Sequence, residues 1–180
     1  KSMPNFSRTL FKSRRPMWVM SSPSTITRPM SGFMSPIMCL RRTLFPSPLV
    51  STTLAAAAIL DSGSEEQKAR WLPGLADGTR IGTLALLEAG DLLAPSGIAL
   101  LGKPDGDSFV LSGRKHFVAD AGAANLFVVA FRTGAGAEDL ALAVVDGGAP
   151  GVSAKSQATM DQTKRVGTLA LDSARVPKSA

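Results

Sequence analysis

Apolar and polar positions change their period once along the chain, near residue 80, and that change divides the sequence into a helical and a β part. Leu49 to Leu60 is a largely apolar, alanine-rich run, broken only by Ser51, Thr52 and Thr53, and it predicts a helix that stops at Asp61-Ser62-Gly63. Ser64-Glu65-Glu66-Gln67 then fits a capping box, with the serine oxygen accepting from the backbone N–H three residues on and Gln67 reaching back. The spacing predicts a short second helix through Trp71, ended by Pro73 and Gly74. From Arg80 onward short β-like runs alternate with turn residues. The predicted strands are Arg80 to Leu87, Ala99 to Lys103, Ser108 to Leu111, Arg114 to Val118, Leu126 to Arg132, Leu140 to Val145, Val152 to Gln157, Val166 to Leu171 and Ala174 to Pro177. Pro104-Asp105-Gly106 supplies a turn, because proline presets φ and glycine accepts positive φ. Leu126 to Arg132 and Leu140 to Val145 are apolar enough to be central strands. Gly134 and Gly136 lie between two strands, so they read as a hairpin loop and not as a dinucleotide fingerprint, which needs a helix to follow. The expected architecture is α+β: short helices, then a mainly antiparallel β-barrel or sandwich.

Charge first suggests a polyanion partner, then withdraws the suggestion. The net charge is +6, yet no Asp or Glu occurs before Asp61, and eight of the twenty Lys and Arg lie in that acid-free stretch. Twelve cations face fourteen acids in the remainder, which is therefore slightly acidic. A nucleic-acid footprint needs cations clustered on a folded face with groove-reading partners, and nothing after Asp61 offers that pattern.

Residues 1 to 44 form an atypical leader holding six of the seven Met, the single Cys39 and one glycine, Gly32. Three readings stand side by side. An Arg- and Ser-rich, acid-free transit peptide fits the composition, but prolines at 4, 16, 23, 29 and 36 would break its helix. A disordered arm fits the Pro and Ser, but Trp18, Phe6, Phe11 and Phe33 are too apolar for it. Translation in the wrong register of GC-rich DNA accounts for the excess of Arg, Ser and Pro and is the preferred reading. The leader decides the expected location: bacterial cytoplasm, or the mitochondrial matrix if it is a transit peptide. No stretch supplies the about 20 apolar residues of a membrane-spanning helix. One Cys and one His make an internal disulfide impossible and a His/Cys metal site poorly founded. His116 sits in a strand-like alternation and reads as a half-exposed strand histidine.

The order of the pieces after the leader carries a resemblance. Gly63 to Gly78 looks like the helix-to-sheet junction of acyl-CoA dehydrogenases, and Leu84-Ala85-Leu86-Leu87-Glu88 resembles their flavin-side strand. Asp105 to Val118 is similar to the family's hairpin before its second flavin contact; Pro150-Gly151-Val152 and Leu171 to Pro177 match its closing strands. The resemblance covers about Phe45 to the end. It implies that residues 45–79 are the end of an N-terminal helical domain and residues 80–180 a middle β domain, with a C-terminal helical domain absent from the chain.

The resemblance implies FAD as cofactor, an acyl-CoA thioester as substrate, an electron-transferring flavoprotein as electron acceptor, and a homo- or hetero-oligomer. Desaturation across the α and β carbons needs a carboxylate to take the α proton and a flavin N5 to take the β hydride. In the family that carboxylate belongs to the C-terminal helices, so no catalytic residue is assigned here and Glu88 is read as a structural strand-end acid. By the same resemblance Leu84, Leu86 and Leu87 form one wall of the flavin site, and Phe117, Val118 and Ala119 the second. Thr or Ser usually stands where this chain has Leu87 and Ala119, and an aromatic, often Trp, where it has Phe117. Each missing hydroxyl costs on the order of 1 kcal/mol, so flavin binding is expected to weaken roughly ten- to a hundred-fold. The next segment, Ala89 to Ser96, displaces the family's usual Ser and Gly. Three functions are weighed: a fragment of an FAD-dependent acyl-CoA dehydrogenase, inactive alone; a flavin-poor subunit of a heteromeric one; and a free-standing β binding module.

Overall fold

The computed structural model describes residues 47–136, 138–161 and 164–179; the leader, residues 1–44, lies outside the described residues. Among the described residues two α-helices, α1 (Ser47–Ser62) and α2 (Glu65–Ala76), precede seven strands: β1 (Gly82–Ala85), β2 (Gly102–Asp105), β3 (Ser108–Ala119), β4 (Leu126–Arg132), β5 (Leu140–Asp146), β6 (Val152–Gln157) and β7 (Val166–Pro177). The capping box forms as expected, with Gln67 N donating to Ser64 Oγ at 3.2 Å and Ser64 N donating to Gln67 Oε1 at 2.7 Å.

α2 does not stop at Pro73 but contains it and runs to Ala76. Proline disfavours a helix interior, yet Leu75, one residue from the end, is 3% exposed against α1 and β4. Tertiary burial outweighs the local signal. Pro73 still contributes its carbonyl, which accepts from Asp77 N at the helix end.

The strands form two sheets, ordered β1-β4-β5 and β2-β3-β7-β6, and these do not close into a barrel. Pairing is antiparallel except between β1 and β4, where Gly82 to Ala85 lie parallel to Leu126 to Val129. The sheets share one core, in which Phe127, Val129, Phe131, Ala143 and Val145 face Leu111, Val118, Leu169, Leu171 and Val176. β4 is central and buried on both faces, since Leu126 and Val128 pack against Ala55, Ile59, Trp71 and Leu75 of the helices. That double burial is why its sequence is an unbroken apolar run. β5, expected to be central, is instead an edge of its sheet.

Two pairs of predicted strands are each one long strand. Ser108 to Ala119 and Val166 to Pro177 run through the glycine and Asp172-Ser173 that had marked their ends. Register shifts between Leu111 and Gly113 take up the interruption on β3. On β7 the left-handed Ser173 (φ 53) donates its N–H to Ser112 Oγ at 3.2 Å. The irregularity is one bulge, with Asp172 and Ser173 of β7 opposite Ser112 of β3, and a bulge bends a strand without ending it. Pro104 belongs to β2, an edge strand that can do without its N–H, and the turn itself is carried by Gly106 at φ 58.

Candidate functional site

The exit of β1 and the bulged end of β3 meet through three side-by-side ties. Thr83 Oγ1 donates to Ala119 O at 2.7 Å, His116 N donates to Leu87 O at 2.8 Å, and Lys115 Nζ donates to Leu86 O at 3.1 Å. The two expected walls are therefore neighbours in space. Their side chains, however, face different ways. Leu84 packs toward the helical cluster, and Val118 is 1% exposed inside the core between the sheets. Leu86 lines an open apolar groove of ≈ 410 Å³ together with Ala58, Ile59, Ile98, Leu142 and Val144. Leu87 and Ala119 are half-buried, and Phe117 is 51% exposed.

Phe117 owes its exposure to the backbone. A register shift between Lys115 and Val118 puts it in a bulge at φ 53, a conformation that a bulky residue rarely adopts. Asp120, at φ 51, turns the chain again three residues later. Left-handed residues of this kind persist where surrounding structure holds them, and they concentrate at ligand sites. Here Val118, buried between two such residues, anchors the segment, and the bulge turns the Phe117 ring outward.

The tie that sequence reasoning missed is Lys115. Its side chain is fully buried, and Nζ lies 2.7 Å from Glu88 Oε1. Glu88 also accepts from Ala99 N and, at 2.9 Å, from Leu100 N. One carboxylate thus joins β1, the segment before β2, and β3. Burial raises the Glu88 pKa, but the Lys115 ammonium and the Leu100 and Ala99 N–H groups outweigh it and hold the carboxyl below its usual range. Burial pulls Lys115 below its ordinary value, and Glu88 restores only part of the difference. The available signal was parity: Lys115 occupies an inward position on β3, and a charge there requires a partner.

What this arrangement can do follows from its groups. It presents an aromatic ring and apolar side chains beside backbone carbonyls. The two nearest carboxylates are engaged: Glu88 by Lys115, and Asp120, 4% exposed, by Ser51 Oγ at 2.9 Å and Arg165. Glu88 joins three segments through these contacts, and His116 is a half-buried residue of β3. Among the described residues no group of three His, Cys, Asp or Glu could hold a metal, and no helix is long and apolar enough to cross a membrane.

Comparison with known proteins identifies relatives of the chain. The model for "Acyl-CoA dehydrogenase, middle domain" matches residues 91–173, and that for "Acyl-CoA dehydrogenase, N-terminal domain" matches residues 39–79. A Bacillus subtilis protein named "Probable acyl-CoA dehydrogenase" is 35% identical over 135 residues, which is 69% of this chain and 21% of that protein. The crystal structure of glutaryl-CoA dehydrogenase from Mycobacterium smegmatis superposes with a TM-score of 0.65 at 34% identity, covering 70% of this chain and 32% of that one. A glutaryl-CoA dehydrogenase from the same organism, solved in complex with FADH2, gives 0.63 at 28% identity, covering 74% and 39%. The chain thus spans about a fifth to two-fifths of the relatives it matches. With both family models matched in order, on a fold shared with solved members, the chain belongs to the acyl-CoA dehydrogenase family.

Proposed function

We propose that this chain supplies the flavin-holding β unit of an FAD-dependent enzyme that desaturates acyl-CoA thioesters and passes electrons to an electron-transferring flavoprotein. The observation that carries the proposal is the outward-turned Phe117 ring, held beside Leu87 and Ala119 by the ties between β1 and β3. An apolar ring system with one polar edge fits such a surface. Bound FAD would supply the acceptor for the β hydride. The chain's own share is to wall that ring, exclude water from one face and fix the spacing of the two segments. Proton removal falls to a carboxylate of another part, since Glu88 and Asp120 are committed to Lys115 and to Ser51 and Arg165. On this reading residues 45–79 and 80–180 are parts of two family domains, and the chain alone is inactive.

A second reading, a flavin-poor subunit of a heteromeric dehydrogenase, is favoured by one feature: neither Leu87 nor Ala119 can offer a hydroxyl to the flavin. Both readings place the ring at the same two segments. Hydrogen exchange measured on the full chain with and without saturating FAD is expected to slow at residues 84–88 and 115–120. Protection confined to α2 or β5 would contradict the site.

A further inference from the structure

A second concave feature lies on the outer face of the four-stranded sheet, and it is independent of the flavin reading. β7 runs between β3 and β6, and its outward residues there are the small Thr168 and Ala170. Arg114 pairs in register with Ala170, which pairs with Ser153; Thr168 pairs with Lys155. Neighbouring strands are about 4.8 Å apart, so the flanking side chains stand about 10 Å apart across a floor of small residues. The result is a trough of ≈ 480 Å³ with Arg114 and His116 on one wall, Ser153 and Lys155 on the other, and Ser156 and Gln157 at one end.

Its chemistry is one-sided. No carboxylate lines it, and among the described residues Arg114 and Lys155 make no ion pair. Among the described residues Lys68, Arg80, Lys115, Arg165 and Arg175 pair with carboxylates; what sets Arg114 and Lys155 apart is that they share one concavity. Two permanent cations, an imidazole and hydroxyl donors around one concavity match a compact multivalent anion. Arginine and lysine flanking an anion from two sides give charge-assisted hydrogen bonds of the strong class. A nucleic acid fits less well, because the chain after Asp61 is slightly acidic and the cations here do not continue into a stripe.

We propose that this trough binds a phosphate or diphosphate group, with Arg114 and Lys155 as the charged clamps and Ser153 and Thr168 as hydroxyl donors. The group could be a free diphosphate or the diphosphate of a nucleotide. Equilibrium dialysis of the full chain against radiolabelled pyrophosphate tests it. Saturable binding of one equivalent is expected, weakened at least tenfold in Arg114→Gln/Lys155→Gln and unchanged in Lys68→Gln on α2. Circular dichroism of each variant verifies the fold. Displacement by ADP at lower concentration than by unlabelled pyrophosphate assigns the nucleotide source, and equal or weaker displacement assigns the free anion. Absence of saturable binding, binding unaltered in the double variant, or binding of a single-stranded oligonucleotide alone overturns the proposal.

Discussion

Glu88→Gln is expected to destabilise the folded unit by about 3–5 kcal/mol, the cost of leaving one buried charge without its partner. Gln keeps an oxygen for Ala99 N and Leu100 N, so those hydrogen bonds persist and the loss falls on the Lys115 ammonium, which is fully buried. Adding Lys115→Met removes that ammonium, and the double variant Lys115→Met/Glu88→Gln should therefore recover most of the loss. Urea unfolding of the full chain measures both. A double variant as unstable as Glu88→Gln would mean that the cost lay in lost contacts and not in the stranded charge.

The same pair sets a pH dependence with a definite sign. Glu88 binds its proton less readily folded than unfolded, so the stability it contributes is complete above its unfolded pKa of about 4.3. That share is lost as pH falls through the lower folded value. Glu88→Gln should flatten part of this acid limb. A remainder belongs to Asp146, whose carboxyl is held low by the Gly148 N–H and Arg80 against a smaller opposing effect of burial. Lys115 acts at the alkaline end. Its folded pKa is depressed, so the cost of its buried charge is relieved as pH rises through that value toward the ordinary one.

Phe131→Ala carries a comparable effect by a different route. The ring is 2% exposed, meets Phe109 edge-on at 5.3 Å between centroids, and packs where Gly102 has no side chain. A Cβ on Gly102 would stand 2.6 Å from two atoms of that ring, so the two positions are mutually fitted. Removing the ring opens a cavity in the shared core and should cost about 3–5 kcal/mol. Domains of this size hold only about 5–15 kcal/mol in total, so the variant's thermal transition should fall steeply. A loss below about 1 kcal/mol would show that the core collapses to fill the space.

Much of the β unit was legible because its strands are short runs bounded by turn residues. Leu126 to Arg132 and Val152 to Gln157 were bounded correctly, and the Ser64 capping box formed, since each depends on neighbours in sequence. Gly113, Ser173 and Pro73 misled because their local preference for interruption was overruled by pairing or burial elsewhere. Central position in a sheet, as for β5, is a property of partners and leaves no trace in the strand itself.

Leu84, Leu86, Leu87, Phe117, Val118 and Ala119 do fall on two adjoining segments, but which side chains face outward depended on a bulge with no sequence signature. The left-handed Phe117 left no signal in the sequence. Lys115 could have been flagged as a charge on an inward-facing position, and Glu88 as the acid in reach. His116 shows the opposite case: a chemically suggestive residue whose ordinary strand role was visible from alternation alone.

In the proposed function Leu87 and Ala119 border a flavin whose usual hydroxyl partners are missing. Titration of FAD into the full chain, followed by quenching of flavin fluorescence, tests it against the variant Leu87→Thr/Ala119→Thr. Affinity roughly ten- to a hundred-fold tighter is expected in the variant, from two hydrogen bonds of on the order of 1 kcal/mol each. Equal affinity in the two proteins, or weaker binding in a variant that folds normally, would contradict it.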